Sequence, residues 1–215
     1  SCTNTLALIS EKLKMKKLIF LFTLYSIVSY SQEKYKVGIE DYNGSYDKYS
    51  FINSKGDTIR KLEYKKYLIC FTIEFKNFAV FGIRGEKNWC AIDLNENILF
   101  NVYNRSFGEP SPDYLRENRI RIIDKKNKIG FANEKGEIII KPNYEMVSSF
   151  SNGKAIIGKK CKKTPWGNHE HSDCKHFIIE CENHGYINKN GEIIKIGNYT
   201  FEKIKKEINW KPAEY

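Results

Sequence analysis

A short hairpin pattern recurs along this chain at regular spacing, and that recurrence restricts the fold more than any other feature. Tyr49-Ser50-Phe51-Ile52-Asn53-Ser54-Lys55-Gly56 is the first copy. Forty residues on stands Trp89-Cys90-Ala91-Ile92-Asp93-Leu94-Asn95-Glu96, and forty further stands Ile129-Gly130-Phe131-Ala132-Asn133-Glu134-Lys135-Gly136. The last copy, His184-Gly185-Tyr186-Ile187-Asn188-Lys189-Asn190-Gly191, follows after fifty-five. Self-similarity at such a period marks a repeat architecture, in which one unit cannot bury its apolar face alone and neighbours do so.

Each copy reads as two strands around a tight turn. Asn or Asp opens the turn because its side chain accepts from nearby backbone amides, and Gly closes it where φ must be positive. Asn53/Gly56, Asn133/Gly136 and Asn188/Gly191 meet this rule. Asp93 is followed by Glu96 instead of Gly, so the second turn is expected to differ locally. Apolar residues follow each turn: Ile59, then Ile98-Leu99-Phe100, Ile138-Ile139-Ile140 and Ile193-Ile194. Pro142 is expected to end the strand in copy three. Tyr144, Val147 and Phe150 then recur at three-residue spacing, which predicts a helical turn. Ser106 to Asn118, with two of the five prolines, reads as a loop. Tyr and Phe supply most of an aromatic content of 14%, which suits pleated surfaces. The expected fold is all-β, with about four β-meander units of roughly 40 residues in an extended or curved array. Propeller-like or barrel-like closure is the alternative arrangement.

These units resemble WG repeats, also called KWG repeats, a family of short β-rich repeats common in bacterial proteins. The pattern is an aromatic-Gly-aromatic-Ile-Asp/Asn hairpin, a Gly, an apolar strand, Pro-x-Tyr, then Phe-x-x-Gly-x-Ala. Copy three matches best, at Gly130, Phe131, Asn133, Gly136, Pro142, Tyr144, Phe150, Gly153 and Ala155. No copy in register keeps the full Trp-Gly pair, since Trp89 keeps the Trp while Gly130 and Gly185 keep the Gly. Trp166-Gly167 lies outside the register. The resemblance covers Tyr49 to about Ile204 and implies a divergent member, a scaffold for interaction and not a reaction.

The N-terminal region carries an address. Met15-Lys16-Lys17 precedes the apolar run Leu18 to Val28, and Ser29-Tyr30-Ser31 places small residues before Gln32. This is the order of a secretory signal at residues 15–31, with an apolar run well short of the roughly 20 residues that span a bilayer. Residues 1–14 then read as upstream sequence with no mature role. The expected mature domain is 32–208, followed by a frayed tail at 209–215. The formal net charge is +10, and loss of Lys12, Lys14, Lys16, Lys17 and Glu11 leaves about +7. Export to the periplasm, cell envelope or medium argues against nucleic acid as partner. An acidic protein, an anionic envelope glycan or a peripheral contact with lipid headgroups fits the charge. Lys that merely solubilises exposed strand faces and edges accounts for it more simply than any of these.

The fifteen extra residues before copy four fall in an unusual stretch at about 161–183. The segment Cys161 to Gly185 holds all four His, namely His169, His171, His176 and His184, and also Cys161, Cys174 and Cys181. In an oxidising compartment two of these Cys form a disulfide. Cys161 with Cys174 would close a loop over Trp166, and Cys161 with Cys181 would tie two flanking strands. Spacing does not choose between them. Closing a loop of about a dozen residues contributes roughly 3 kcal/mol by the chain-entropy model. A zinc site built from Cys161, His169, His171, Cys174, His176 and Cys181 is the alternative, although no Cys-x-x-Cys occurs. A Cys–His nucleophile is the third reading, without a recognisable orienting residue or oxyanion donor. No P-loop, dinucleotide fingerprint, HExxH or Gly-x-Ser-x-Gly occurs in the chain. Cys70 and Cys90 read as buried thiols, and His184 as a packing residue of the repeat. The functional expectation is a non-enzymatic exported binding module without a cofactor. Its candidate surface is Trp166, His169, His171 and His176, beside exposed aromatics such as Tyr103.

Overall fold

Five aspartate- or asparagine-led turns punctuate the chain, and they share one geometry. In the computed structural model, which describes residues 33–40, 48–105, 111–165 and 177–212, Asn53 Oδ1 accepts from the amides of Lys55 and Asp57. Gly56 at φ 92° closes that turn by donating to the Asn53 carbonyl. Asn133 and Asn188 repeat the arrangement. A further pairing tightens each loop. The amide of Asn53, Asn133 or Asn188 donates to the carboxylate four residues on, at Asp57, Glu137 or Glu192. In the second copy the polarity is reversed, and Asn97 donates to Asp93.

That second turn does not differ locally, contrary to expectation. Asp93 accepts from Asn95 and Asn97, and Glu96 takes the glycine's place at φ 66°. A non-glycine residue bears a cost there. The Glu96 side chain is held by partners far along the chain: Tyr67 Oη donates to it at 2.8 Å and Arg60 at 3.2 Å, with Lys66 at 3.8 Å. The fifth turn, Asp124 to Asn127, joins two strands of copy three and was not anticipated. Asp124 accepts from Lys126 and Lys128, and Asn127 closes the turn at φ 58°.

The chain divides into two compact units, Ser1–Glu33 and Lys34–Tyr215. Only Glu33 of the first is described, so the expected signal segment lies outside the described residues. The second unit is all-β apart from one short helix among the described residues. Its strands are β1 (Tyr35–Glu40), β2 (Lys48–Ile52), β3 (Thr58–Lys61), β4 (Tyr67–Cys70), β5 (Glu74–Phe75), β6 (Ala79–Ile83), β7 (Trp89–Ile92), β8 (Ile98–Val102), β9 (Arg119–Ile123), β10 (Ile129–Asn133), β11 (Ile138–Tyr144), β12 (Met146–Val147), β13 (Lys154–Pro165), β14 (Phe177–Asn188) and β15 (Ile193–Gly197). They form three antiparallel sheets, ordered β3-β2-β1-β5, then β11-β10-β9-β8-β7-β6-β4, then β12-β13-β14-β15.

The repeat unit is thus a three-stranded meander. It recurs as β1-β2-β3, β6-β7-β8, β9-β10-β11 and β13-β14-β15, with an Asn/Asp turn between the second and third strands of each and the additional Asp124 turn between β9 and β10. Units two and three fuse into the seven-stranded sheet through the Val102–Ile122 pair. The sheets are open, with β4 and β11 as edges of the largest, so no closed barrel forms among the described residues.

Strand alternation sends neighbouring side chains into separate cores. Phe81 faces Tyr49 and Phe51 of the first sheet, with the Tyr49 and Phe81 rings 5.3 Å apart, while Val80 joins Phe78, Phe100 and Ile120 on the opposite face. Ala155 and Ile157 pack with Phe131 and Phe150, while Ile156 meets the helix. The strand glycines make room for backbone. A Cβ on Gly130 would collide with the Ile140 carbonyl and lie 2.6 Å from the Pro142 nitrogen, because β11 bulges over it. Gly185 has the same relation to the Lys195 carbonyl of β15.

Three expectations near copy three and the C-terminus are corrected. Pro142 does not stop β11, which runs on to Tyr144. The strand is a sheet edge with a bulge, where a missing N–H costs no ladder bond. Tyr144, Val147 and Phe150 do not form a helical turn, since Val147 pairs with Ile157 of β13. All three are buried in one cluster, so their spacing records a bent extended course. The tail does not fray at Asn209. Helix α1 (Phe201–Glu207) starts at Thr200, whose hydroxyl accepts from Lys203 N, and buries Ile204 and Ile208 against Ile156. Trp210 then docks, its indole N–H donating to the Ser149 carbonyl at 2.8 Å.

Candidate functional site

The unusual Cys/His stretch belongs to the longest pair of strands. β13 and β14 run in register from Lys154–Asn188 to Pro165–Phe177. Their inner halves sit in the third sheet, with Ala155, Ile156 and Ile157 buried. Beyond Gly158 the pair leaves its neighbours: β12 reaches only Gly158, and β15 reaches only His184. Lys159, Lys160, Lys162, Lys163, Glu180 and Glu182 are exposed along this outer ribbon.

Cys161 and Cys181 lie opposite each other on the ribbon and are joined by a disulfide. Of the pairings left open by the sequence, this is the one that ties the flanking strands. Gly158 is part of the arrangement, because a Cβ there would lie 3.1 Å from Cys161 Sγ and closer to Cys181 Sγ. An ion pair and a hydrogen bond brace the base. Lys160 meets Glu182 at 3.0 Å, and Glu145 accepts from the Cys161 amide at 2.7 Å. That amide bond, aided by Lys128, holds the Glu145 carboxyl below the usual carboxylate range. An isolated two-stranded ribbon is marginal in water, so the disulfide and the Glu145 contact account for its persistence.

Trp166, His169, His171, Cys174 and His176 lie outside the described residues. The proposed zinc ligands Cys161 and Cys181 are described, and their disulfide removes both thiolates from metal binding and from nucleophilic chemistry. No group of three or more His, Cys, Asp or Glu placed for a metal occurs among the described residues. His184 is buried, with its Nδ1 2.9 Å from the Tyr199 carbonyl and its ring against Phe201. Cys90 is buried and Cys70 half-buried, and burial pushes both thiols up to about 11. Tyr103, expected as an exposed aromatic, is half-buried under the Arg121 guanidinium at 4.7 Å.

A second site was missed by sequence reading. The seven-stranded sheet leaves part of one face open beside the loop at 111–118, and a groove of about 800 Å³ forms there. Phe71, Ile73, Phe78, Val80, Leu115 and Ile120 supply its apolar lining. It adjoins a smaller cavity of about 190 Å³, and Arg105, Asp113 and Tyr114 line both. Arg116, Arg121 and Trp210 complete the smaller one. Asp113 is nearly fully buried and binds Arg121 in bidentate fashion, at 3.0 Å from Nε and 2.9 Å from Nη2, while also accepting from the Arg121 amide. Burial alone would lower the Arg121 pKa, and the Asp113 carboxylate reverses that and raises it. Arg116 differs. It donates to Ser149 Oγ at 3.2 Å and to the carbonyls of Lys211 at 2.6 Å and Pro212 at 3.4 Å, and it lies over the Trp210 ring at 5.7 Å. Its partners among the described residues are neutral oxygens and a ring, with no carboxylate. The residues of this site run from Lys34 to Pro212 along the chain, and nothing periodic links them.

A family model described as a WG containing repeat matches residues 129–160. Those residues are copy three together with the start of β13, so the chain carries a WG-type repeat there. No curated protein and no solved structure matches the chain.

Proposed function

We propose that this chain, which carries a WG-type repeat, is an exported, non-enzymatic binding scaffold whose β13–β14 ribbon engages a protein or anionic glycan of the cell envelope. The observation that carries this reading is the Cys161–Cys181 disulfide on a ribbon that has left its own sheet. A bridge between exposed strands belongs to an oxidising compartment. It adds nothing to a core that ends at Gly158, and it holds the ribbon in shape. Rigid repeats that present an irregular segment commonly bind through that segment. Here the ribbon presents four Lys on one strand and leads to Trp166, His169, His171 and His176.

The reading is tested in intact cells with the full chain. A photo-crosslinking residue is placed at Lys162 or Ile178 on the ribbon, and at Lys55 on a remote turn. The expected result is a discrete envelope adduct from the ribbon positions alone, weakened in a Cys161→Ala/Cys181→Ala double variant. Equal labelling from all three positions, or a protein retained in the cytoplasm with both cysteines reduced, would sink it.

A further inference from the structure

We infer that the groove beside the 111–118 loop and the arginine-lined cavity next to it form one binding site for a small amphipathic carboxylate, with its apolar chain along Phe71, Ile73 and Leu115 and its anionic head on Arg116. This site is separate from the β13–β14 ribbon.

Two observations carry the assignment. The first is shape and lining. A concave site of about 800 Å³ is in the range that holds a small molecule, and apolar side chains make up about half of its described lining. The exposed apolar groups there are unusual in extent. Ile73 is 82% exposed, and Tyr114 and Leu115 are also open to solvent. Such a group of apolar side chains around a concavity marks a binding surface more often than a scattered surface residue does.

The second observation is charge. Arg121 is committed to Asp113 through a bidentate ion pair and a backbone bond. Among the described residues Arg116 has no such counter-ion. Its guanidinium is held by Ser149 Oγ and the Lys211 and Pro212 carbonyls and rests on Trp210. A cation fixed by neutral acceptors is already oriented when an anion arrives, so little side-chain freedom remains to be lost. An Arg–carboxylate contact is the geometry this group serves best. Arg105, Asp113 and Tyr114 line both cavities, so the apolar lining and Arg116 lie to either side of the same three residues.

The full-length chain is titrated with decanoate below its micelle concentration, and with decanol, octanoate and butyrate as comparators. Decanoate is expected to bind with one site per chain. Each CH₂ gained between octanoate and decanoate should tighten binding about three- to fourfold. Arg116→Gln should weaken decanoate roughly tenfold or more while leaving decanol unchanged. Because Arg116 also supports Trp210, its variant could lose structure, so Ile73→Asp serves as the independent probe. That side chain is almost fully exposed, and its change should weaken decanoate and decanol alike at an unaltered melting temperature. Absence of decanoate binding up to about 1 mM overturns the inference. So does an Arg116→Gln variant that melts normally and binds decanoate as the parent does. A hydrophobic pentapeptide with a free C-terminal carboxylate that displaces decanoate at lower concentration would assign the site to a peptide instead.

Discussion

Replacing Glu96 with the glycine that the Asn53, Asn133 and Asn188 turns carry should destabilise this protein. Glu96 sits at φ 66°, where an L-residue costs about 1–2 kcal/mol relative to glycine. Glu96→Gly removes that cost. It also removes the acceptor of Tyr67 Oη, and Tyr67 is 1% exposed. A bond from a buried hydroxyl to a charged carboxylate contributes about 1.5–3 kcal/mol, and its loss leaves the donor without a partner. The ion pairs to Arg60 and Lys66 add about 0–1 kcal/mol, because both cations are partly exposed. The expected net effect is a loss of about 1 kcal/mol, or a fall in melting temperature of roughly 2–4 °C for a unit of this size. The sign should change in a Tyr67→Phe background. There the buried hydroxyl is gone, the backbone relief dominates, and Glu96→Gly becomes neutral or stabilising. Chemical denaturation of the four members of this cycle measures the coupling, expected near 2 kcal/mol. If Glu96→Gly stabilises the parent, or has the same sign and size in both backgrounds, then the Tyr67 contact does not hold Glu96 in its unusual conformation and the reasoning fails.

Removing the disulfide by Cys161→Ser/Cys181→Ser should cost up to about 3 kcal/mol, from the chain-entropy relation applied to a sequence separation of 20. Limited proteolysis should then cleave the ribbon beyond Gly158 before the third sheet opens. Gly185→Ala should destabilise by several kcal/mol, on the order of a buried backbone clash, because the added carbon meets the Lys195 carbonyl, which cannot move aside without breaking the β14–β15 ladder. The same substitution at Gly56, whose Cβ direction is open, should cost only about 1 kcal/mol from its positive φ, and calorimetry should separate the two. Cys70 and Cys90, with thiols raised to about 11 by burial, should resist alkylation at pH 8 until the chain unfolds. Since their folded pKa values lie above the unfolded value near 8.5, their contribution to stability is complete below that pH. It is lost as pH rises toward 11, which denaturation at graded alkaline pH should detect.

The repeat spacing, the four meanders and most of the turns were determined by the sequence alone. The reason is local chemistry. An Asn side chain reaches its own loop amides within four residues, as at Asn53, Asn133 and Asn188, and strand alternation is a two-residue rule. The Asp124–Asn127 turn obeys the same rule, and its signature was present but unread. The α1 helix also left a local trace, in Thr200 as N-cap with Ile204 and Ile208 one turn apart. Tertiary structure decided what depends on distant partners. Glu96 keeps a glycine's conformation because Tyr67 from the far edge strand of its own sheet and Arg60 from the first sheet meet it. Pro142 stays in a strand because β11 happens to be an edge. Cys181 is the partner of Cys161 because β13 and β14 align register by register across 20 residues, a choice that spacing left open. The groove and Arg116 pocket needed the whole fold, since Phe71, Leu115, Arg116 and Trp210 converge only when the open sheet, the 111–118 loop and the C-terminal helix dock together. Local patterns propagate through covalent neighbours and can be read in order, whereas a site built by packing has no order along the chain to read.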